Sequence, residues 1–541
     1  MPVSPPPERF ATAHASDPES ASVLGPFRLP TFRMLWTTWL LANLCMWMND
    51  VAAAWMMTAL TPSPIWVALV QTASTLPVFL LGLPSGALAD TLDRRRYFLV
   101  TQLWVAVVAV LLCVAILFGV ITPGILLLLT FANGIGLAMR WPVFAALIPE
   151  VVPRPQLPQA LALNGIAMNT SRIFGPLVAG ILIASAGSAY VFMLNAALSL
   201  ASAVVVLRWK HQHVPSPLGR ERLLSAIRVG VQFVRQSTRL RAVLWRIALF
   251  FLHSTALVAL LPLLARGLQG GDAGTFTLLL AAMGSGAITT ALLMPRIRQK
   301  LQRDALVLRG AMLQSCATAV MAFAPNVYVA LPAMFVAGMS WIATANSLSV
   351  SAQLGLPDWV RARGMSIFQM AIMGGSALGA ALWGQVATIA TVQISLCIAA
   401  ASGTIAMLAA QRFAIDGSME EDLTPSQALR RPEAHAPPQG GQILVHIEYL
   451  IDPRRAADFR AVMRESRRSR LRQGALGWEL LHDIAEPGRY VEQVIDESWT
   501  EHLRRFDRVT AADVALREQK LAFHIGEHPP LVTRQVIEQL D

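Results

Sequence analysis

The feature that most limits the fold is a series of twelve apolar runs. About 20 predominantly apolar residues cross a bilayer as a helix, and a helix satisfies its own backbone hydrogen bonds in lipid. Hydrophobic residues make up 55% of the 541-residue chain and charged residues only 14%, which excludes an ordinary soluble protein. We therefore predict an all-α polytopic membrane protein with twelve transmembrane helices, at 34–58, 65–89, 97–119, 123–147, 160–185, 189–208, 243–265, 274–295, 305–324, 327–350, 365–387 and 391–411.

Positive charge is concentrated in every second gap between these runs, and each gap is numbered after the run that precedes it. The odd-numbered gaps are nearly free of it, Arg266 being the main exception. The positive-inside rule then places the even-numbered gaps and both termini in the cytoplasm, and we predict a multi-pass protein of the bacterial inner (plasma) membrane. The net charge of +11 thus indicates topology and no nucleic-acid partner. The even-numbered gaps carry Arg94, Arg95 and Arg96; Arg154; the arginines from Arg208 to Arg246; Arg296, Arg298, Lys300 and Arg303; and Arg361 and Arg363.

Changes in composition divide the chain into six parts. The longest internal gap separates two groups of six runs, as in transporters built from two halves related by an axis along the membrane normal. The parts are a disordered cytoplasmic tail without a signal peptide (1–29), an N-terminal six-helix half (30–208), a cytoplasmic central loop (209–242), a C-terminal six-helix half (243–412), a linker (413–441) and a small cytoplasmic domain (442–541).

The pattern of the last 100 residues is typical of a soluble α+β domain. Ile443, Val445, Ile447 and Tyr449 alternate with polar residues as in a strand. The order β-α-β-β-α-β predicts a ferredoxin-like fold. Its further elements are a helix from 452 to about 471, a hairpin of 478–484 and 490–495, a helix that starts at the capping box of Ser498 and Glu501, and a strand near 531–536.

The most specific motif lies between the second and third runs and reads Gly86-Ala-Leu-Ala-Asp90-Thr-Leu-Asp93-Arg94-Arg95-Arg96. It resembles the signature loop of the major facilitator superfamily, Gly-x-Leu-Ala-Asp-Arg-x-Gly-Arg-Arg, and departs from it at Thr91 and Asp93. The resemblance implies a conformational latch formed by Gly86, Asp90, Arg94 and Arg95, which holds the cytoplasmic side closed in the outward-facing state. A plain cytoplasmic anchor of arginines is the alternative.

The fifth run carries Arg172-Ile-Phe-Gly175-Pro176-Leu-Val-Ala-Gly180, which resembles the Gly-Pro…Gly motif of proton-coupled drug exporters. Proline removes one backbone hydrogen bond and can kink the helix, and glycine lets neighbouring helices approach closely. Ordinary packing of small residues explains the same pattern, since Gly and Pro are frequent in membrane helices.

Four ionisable residues within the runs are candidates for proton coupling or for lining a transport cavity: Asp50, Arg140, Arg172 and His253. Such residues are costly in a membrane and usually face a cavity or a partner. We expect Asp50 to pair with Arg140 or Arg172, or else to be solvated near the outer interface. His253 is more typical of hydrogen-bonded packing. Further polar or aromatic residues line the path or join helices, namely Asn43, Trp47, Asn49, Gln71, Asn133, Asn169, Gln314, Asn346 and Gln369.

Over residues 28–412 the chain resembles the transmembrane secretion effector branch of the superfamily. Besides the motifs above, the resemblance includes Thr61-Pro-Ser63-Pro64, Arg140-Trp-Pro142 and Ile148-Pro149-Glu150. It implies a secondary transporter that exports siderophores or drug-like molecules by proton antiport and alternating access. Its partners would be a small-molecule substrate, protons and the lipid bilayer. Some members carry a soluble tail, and the stretch from Glu497 to Thr510 is similar to those tails.

Two other functions stay open from the sequence. The tail is distantly similar to small antibiotic-biosynthesis monooxygenases, so the chain is alternatively a fused transporter–enzyme whose tail modifies or senses the cargo, with His446, His482 and His502 as candidate pocket residues. An importer or a sensor on the same scaffold is the third hypothesis. We predict no enzyme, no cofactor and no metal, because the histidines lack metal spacing and the four cysteines lie far apart. The sequence contains no Walker loop, which argues against an ATP-driven pump.

Overall fold

The computed structural model describes residues 24–91, 93–153, 156–208, 223–412, 422–426, 428–429, 431–432 and 440–538. The first half of the membrane part consists of six long helices. Pro30, Pro64 and Pro123 open three of them, a position where the missing amide hydrogen costs nothing. The six are α1 (Pro30–Leu60), α2 (Pro64–Thr91), α3 (Arg94–Leu117), α4 (Pro123–Val151), α5 (Leu157–Ser185) and α6 (Ser188–Arg208).

A shorter helix, α7 (Leu223–Gln236), precedes the second half. It lies inside the segment that the sequence predicts to be a central loop. Its apolar residues recur on one face, where Val229, Phe233 and Val234 are buried. The second half follows with α8 (Thr238–Gly267), α9 (Ala273–Lys300), α10 (Arg303–Ala322), α11 (Val327–Leu354), α12 (Asp358–Ile389) and α13 (Val392–Ala410).

Eleven helices in the described part of the chain are long and apolar enough to cross a membrane, α2 to α6 and α8 to α13. The sequence predicts twelve. The difference is α1, which has 31 residues but carries Asn43, Asn49 and Asp50, and these lower its mean hydropathy. Exposed aliphatic side chains cover the outer faces of helices such as α3 and α13, among them Val107, Leu111, Ile398 and Ile405. Lipid, not water, suits such a surface.

The two halves repeat the same arrangement. In the first half α1 packs against α5 and α6, α2 against α4, and α3 against α4 and α6. In the second half α8 packs against α12 and α13, α9 against α11, and α10 against α11 and α13. Between the halves, α2 packs against α12 and α5 against α9. The molecule therefore has an internal two-fold repeat, with two helix pairs forming most of the seam between its halves.

The soluble tail folds into one antiparallel sheet covered by helices. In chain order it has β1 (Gln442–Leu450), α14 (Ala456–Arg472), β2 (Gly477–His482), β3 (Arg489–Asp496), α15 (Trp499–Asp507), α16 (Ala511–Leu521) and β4 (Val532–Ile537). The strand order is β2-β3-β1-β4. Ser498 caps α15 through the amide of Glu501, as the predicted capping position requires. Alternate residues of β1 and β3 form the core with Phe459 and Met463 of α14.

Candidate functional site

Apolar packing between the halves differs at the two ends of the helices. At the end that carries the odd-numbered gaps, one hydrophobic cluster contains residues of both halves, including Met57 of α1, Ile183 of α5, Leu261 of α8 and Phe276 of α9. At the arginine-rich end each half has its own cluster. One is built around Phe98 and Phe144, the other around Phe250 and Phe368. Among the described residues, the halves thus share a hydrophobic cluster at one end only.

Several polar contacts reinforce the shared end. The Arg266 guanidinium donates to the carbonyl oxygen of Thr58 at 2.6 Å and lies 5.0 Å from the Trp55 ring, so that α8 is bound to α1. Trp55 stacks on Phe276 of α9 with ring centroids 5.2 Å apart. Arg266 is the exception to the charge rule in the sequence, and the structure gives it a specific partner across the seam.

Asp50 lies on α1 near the middle of the helix. Its carboxylate is partly buried and accepts a hydrogen bond of 2.8 Å from the Ser74 hydroxyl of α2. That is the one hydrogen bond of Asp50 among the residues that the structure describes. The neighbouring Asn49 accepts a 3.2 Å hydrogen bond from Asn195 of α6. Asp50 therefore sits in a band of polar residues that joins α1 to the helices beside it.

The two membrane arginines lie against aromatic rings. Arg140 on α4 is buried, donates to the Ala42 carbonyl at 3.3 Å and lies 5.5 Å from the Trp39 ring. Arg172 on α5 lies 4.3 Å from the ring of Trp341 on α11. This second contact joins the two halves near the middle of the helices. In this state Asp50 and both arginines have separate neighbours, so the proposed pairing between them is not the arrangement observed.

His253 lies within the second half. Its Nδ1 lies 2.7 Å from the carbonyl oxygen of Leu249, and its ring is 5.7 Å from that of Trp383. It lines a cavity of about 10 Å³ between α8, α10 and α13 together with Ser254 and Gln314. A space of this size holds at most one water molecule. This environment is typical of a packing histidine, the simpler of the two sequence interpretations.

The glycines of the helix-five motif lie where other helices come closest. Gly175 packs against Trp47 of α1, and Gly180 packs against Thr277 of α9 in the other half. A side chain at either position would overlap these neighbours. Pro176 lies between them, inside α5. The motif thus permits close approach at two interfaces, one within the first half and one across the seam.

The signature loop is described in part. Gly86 and Asp90 belong to the last turns of α2, and the side chains of Asp90 and Arg94 lie outside the described residues. Arg95 donates to the Leu207 carbonyl at the end of α6 at 2.9 Å. Asp93, which departs from the family pattern, accepts a 3.0 Å hydrogen bond from the Arg96 amide and caps α3. An N-terminal cap explains why an acidic residue suits this position.

Three of the described polar residues in the predicted path, Asn43, Asn49 and Gln314, join helices or bond to their own helix. Gln314 accepts from Ser340, linking α10 to α11 at 2.8 Å, and Asn43 donates to the Trp39 carbonyl of its own helix at 2.7 Å. The side chain of Asn169 lies outside the described residues. Sequence reasoning missed Ser74 and Trp341. Membrane helices contain many such residues, and no spacing distinguishes the two that meet Asp50 and Arg172.

The tail contains a buried network of charges. Burial alone would raise the pKa of the Glu492 carboxyl, but Lys520 and Arg470 outweigh burial and hold that pKa well below its usual range. Lys520 lies 3.1 Å from this carboxylate. Burial of the Lys520 amine lowers the pKa of Lys520 to about 8. Ser466 and Trp478 also donate to Glu492, each at 2.9 Å. The network ties α14 and α16 to the sheet.

The three tail histidines lie in different places. His502 is fully buried, 2.7 Å from Asp496, and its Nε2 accepts a hydrogen bond from Arg534 at 3.1 Å. His446 lies on the opposite sheet face beside Gln493, and His482 is exposed at the end of β2. They line no common pocket. The described residues hold no group of three or more His, Cys, Asp or Glu side chains able to bind a metal.

The geometry defines a class of protein. Eleven apolar helices of membrane-spanning length, in two halves that repeat the same contacts, make this a multi-pass membrane protein. A crystal structure of a variant of the nucleoside transporter NupG superposes on 71% of this chain and 100% of its own, with a TM-score of 0.58 and 14% identity. The likeness shows the major facilitator type of fold.

The model of the transmembrane secretion effector family matches residues 21–540. The chain belongs to this family of major facilitator transporters. The Staphyloferrin A transporter of Staphylococcus aureus is 22% identical over 329 residues, 60% of this chain and 81% of the relative. The enterobactin exporter EntS of Salmonella typhimurium is 25% identical over 66% of this chain and 85% of its own. The multidrug efflux pump Tap of Mycolicibacterium fortuitum is 26% identical over 62% and 84%.

Proposed function

We propose that the chain exports small molecules, siderophores or drug-like compounds, across the bacterial inner membrane by alternating access driven by proton entry. The observation that carries the proposal is the unequal packing of the two ends. One hydrophobic cluster joins the halves at the odd-numbered gaps, and separate clusters lie at the arginine-rich end. Two halves that are joined at one end can open at the other. Rocking of one half against the other would then close the open end and open the closed one.

The proposal includes a topology. With α1 counted as the twelfth span, the proposal places the arginine-rich gaps and both termini in the cytoplasm, and we assign this structure to a state that opens to that side. The names of the relatives support the cargo class, since two concern siderophores and one concerns drugs. The tail, whose strand order β2-β3-β1-β4 is that of a ferredoxin-like sheet, is then a cytoplasmic module.

Asp50 is the proposed site of proton coupling. It is an acidic residue within the membrane part, and its described hydrogen-bond partner is the neutral hydroxyl of Ser74. A carboxylate there exchanges a proton as water reaches it from one side or the other. Proton entry from outside would neutralise Asp50 and permit return of the empty carrier, and release to the cytoplasm would restore the charge.

The test of the function uses inverted membrane vesicles from cells that lack their own siderophore exporters. We expect energised vesicles carrying this protein to accumulate enterobactin, staphyloferrin A or a drug from a panel, and a protonophore to abolish the accumulation. Vesicles without the protein provide the background. Accumulation that persists with the protonophore would exclude proton coupling. Transport of the panel only into right-side-out vesicles would show an importer.

A further inference from the structure

The soluble tail docks on α7, at the arginine-rich end of the second half. Arg228 of α7 lies 2.6 Å from the Glu497 carboxylate of the tail, and Ser225 donates to the same carboxylate at 2.8 Å. Val229 of α7 is buried and faces Gly474, where a Cβ atom would lie only 2.9 Å from the valine side chain. An ion pair and a close apolar contact therefore hold α7 against the tail.

The first turn of α12 is a second contact point for the tail. The Arg508 guanidinium of the tail lies 5.4 Å from the ring of Trp359, and Phe233 of α7 packs edge-on against the same ring with centroids 5.6 Å apart. Gly230 of α7 lies against α12 as well, since a Cβ atom at this glycine would come within 3.0 Å of the Arg363 Cβ. Trp359 thus contacts both the tail and α7, which ties these two elements to α12.

Helix α7 has neighbours in both halves of the membrane part. It packs against α2 of the first half and against α8 and α12 of the second. The helices α2 and α12 are themselves packed together across the seam. The halves change their relative position in the proposed cycle, so a helix that is held against both of them loses contacts when they move. Because the tail holds α7, docking of the tail bears on the arrangement of the two halves.

We propose that the docked tail is a regulatory contact, which keeps α7 against α2 and α12 and thereby stabilises the state seen in this structure. Release of the tail then favours the state open at the odd-numbered gaps. This inference rests on the proposed alternating access. A contact made in one state alone shifts the equilibrium between the states, and couplings of this kind typically change their ratio by a factor of about 5 to 150.

The experiment measures docking and conformation of the full-length protein in nanodiscs, without cargo, so that its result does not depend on transport. Hydrogen–deuterium exchange of α7 reports docking. Spin labels at Val120 and Tyr328, exposed near the odd-numbered gaps in opposite halves, report how far that end is open. Arg266→Gln removes contacts of the shared end directly and is the positive control for opening.

Charge reversal tests the ion pair between α7 and the tail. Arg228→Glu and Glu497→Arg should each accelerate exchange of α7 severalfold and raise the proportion of the state open at the odd-numbered gaps, relative to the other state, at least about fivefold. The double reversal restores an ion pair and should return both measurements to those of the parent. Arg235→Glu, exposed on the same helix, is the matched control and should change neither. Val229→Asp, which places a charge in the buried contact with Gly474, is a second way to release the tail.

The positive control separates this inference from the proposed cycle. Faster exchange of α7 with the distance distribution of the parent would overturn the inference alone, if Arg266→Gln shifts the distances. An unshifted distribution in every variant, Arg266→Gln included, would contradict the proposed alternation as well. Unchanged exchange of α7 in both single reversals and in Val229→Asp would also overturn the inference, because these contacts would then not hold the tail.

Discussion

Single side chains carry the polar chemistry of the membrane helices, and Asp50 is the most informative of them. A carboxylate within a membrane helix is costly, yet here it has only the Ser74 hydroxyl as a described hydrogen-bond partner. The proposed proton-transfer role would account for a carboxylate under these conditions. The arginines differ in kind, because Trp39 and Trp341 shield them by cation–π contacts.

Asp50→Asn should abolish uphill export while the protein still binds cargo, because an amide keeps the hydrogen bond to Ser74 but cannot exchange a proton. We expect at least a tenfold drop in protonophore-sensitive accumulation in inverted vesicles, with cargo affinity within about threefold of the parent. Ser74→Ala is the matched control, since it removes the partner and keeps the carboxylate. Full protonophore-sensitive transport by Asp50→Asn would place the proton site elsewhere.

In the tail, His502 should make the sheet sensitive to mild acid. Burial lowers the pKa of His502 below its ordinary 6.5, although the hydrogen bond to Asp496 opposes this shift. The unfolded chain then takes up the proton more readily than the folded one. The stabilising contribution is complete above pH 6.5 and is lost as the pH falls below that value toward the folded pKa.

We therefore expect the protection of β1 and β3 amides in the full-length protein, corrected for intrinsic exchange rates, to fall between pH 7 and 5. His502→Gln should be less stable at pH 7 and should lose most of this pH dependence. His482→Gln, at an exposed position, is the control. An unchanged slope in His502→Gln would assign the effect to another group.

Among the described helices, α7 has contacts with both the tail and the membrane part. Phe233 packs edge-on against Trp359 at the start of α12, with ring centroids 5.6 Å apart. On its other side, Arg228 lies 2.6 Å from Glu497, Ser225 donates to the same carboxylate, and Gln232 donates to the Ala475 carbonyl at 3.3 Å. The amphipathic helix α7 thus contacts the tail on one face and α12 on the other, and α12 packs along α2 at the seam.

Glu497→Ala should loosen this docking. The carboxylate and Arg228 are each about one-third exposed, so solvent screening reduces the loss to about 1 kcal/mol. Hydrogen–deuterium exchange of α7 in the full-length protein should accelerate severalfold while β1 and β3 stay protected. Glu486→Ala, an exposed change in the β2–β3 hairpin, should leave α7 unaffected. Unchanged exchange of α7 would mean that the apolar contacts alone hold the tail.

At the level of the complete transporter, the proposed alternating access implies a balance between two open states, which depends on how firmly the shared end is closed. Arg266 binds α8 to α1 through the Thr58 carbonyl and the Trp55 ring, and both contacts cross the seam. In the proposed cycle they are broken when this end opens. A residue with contacts in one state alone shifts the equilibrium between states when it is changed.

Arg266→Gln should therefore raise the population of the state open at the odd-numbered gaps. A loss of about 1–2 kcal/mol corresponds to roughly a five- to thirtyfold change in the ratio of the two states. Spin labels at Val120 and Tyr328, exposed near that end in opposite halves, report the distance between the halves. We expect a longer distance component to grow. Arg298→Gln, near the other end of α9, is the control, and identical distance distributions would contradict the assignment.

Local composition was enough to predict the membrane class, nearly all of the long helices and the strands of the tail. A helix in lipid needs an apolar run of fixed length, and a half-buried strand needs alternation, so both leave a direct trace in the chain. The motifs also indicated the protein family, because Gly86 and Asp90 stand at the spacing of the family's signature loop. The helix α7 was not predicted, because its apolar residues are interspersed with polar ones in a segment rich in arginine.

Contacts between distant residues left no such trace. Ser74 beside Asp50, Trp341 under Arg172 and Thr277 against Gly180 are ordinary residues of membrane helices, and their partners lie 24, 169 and 97 positions away by their numbers. The shared cluster at one end arises from packing whole helices of both halves together. Hydrophobicity is local and additive along the chain, whereas the pairing of side chains depends on how rigid elements come to rest against each other.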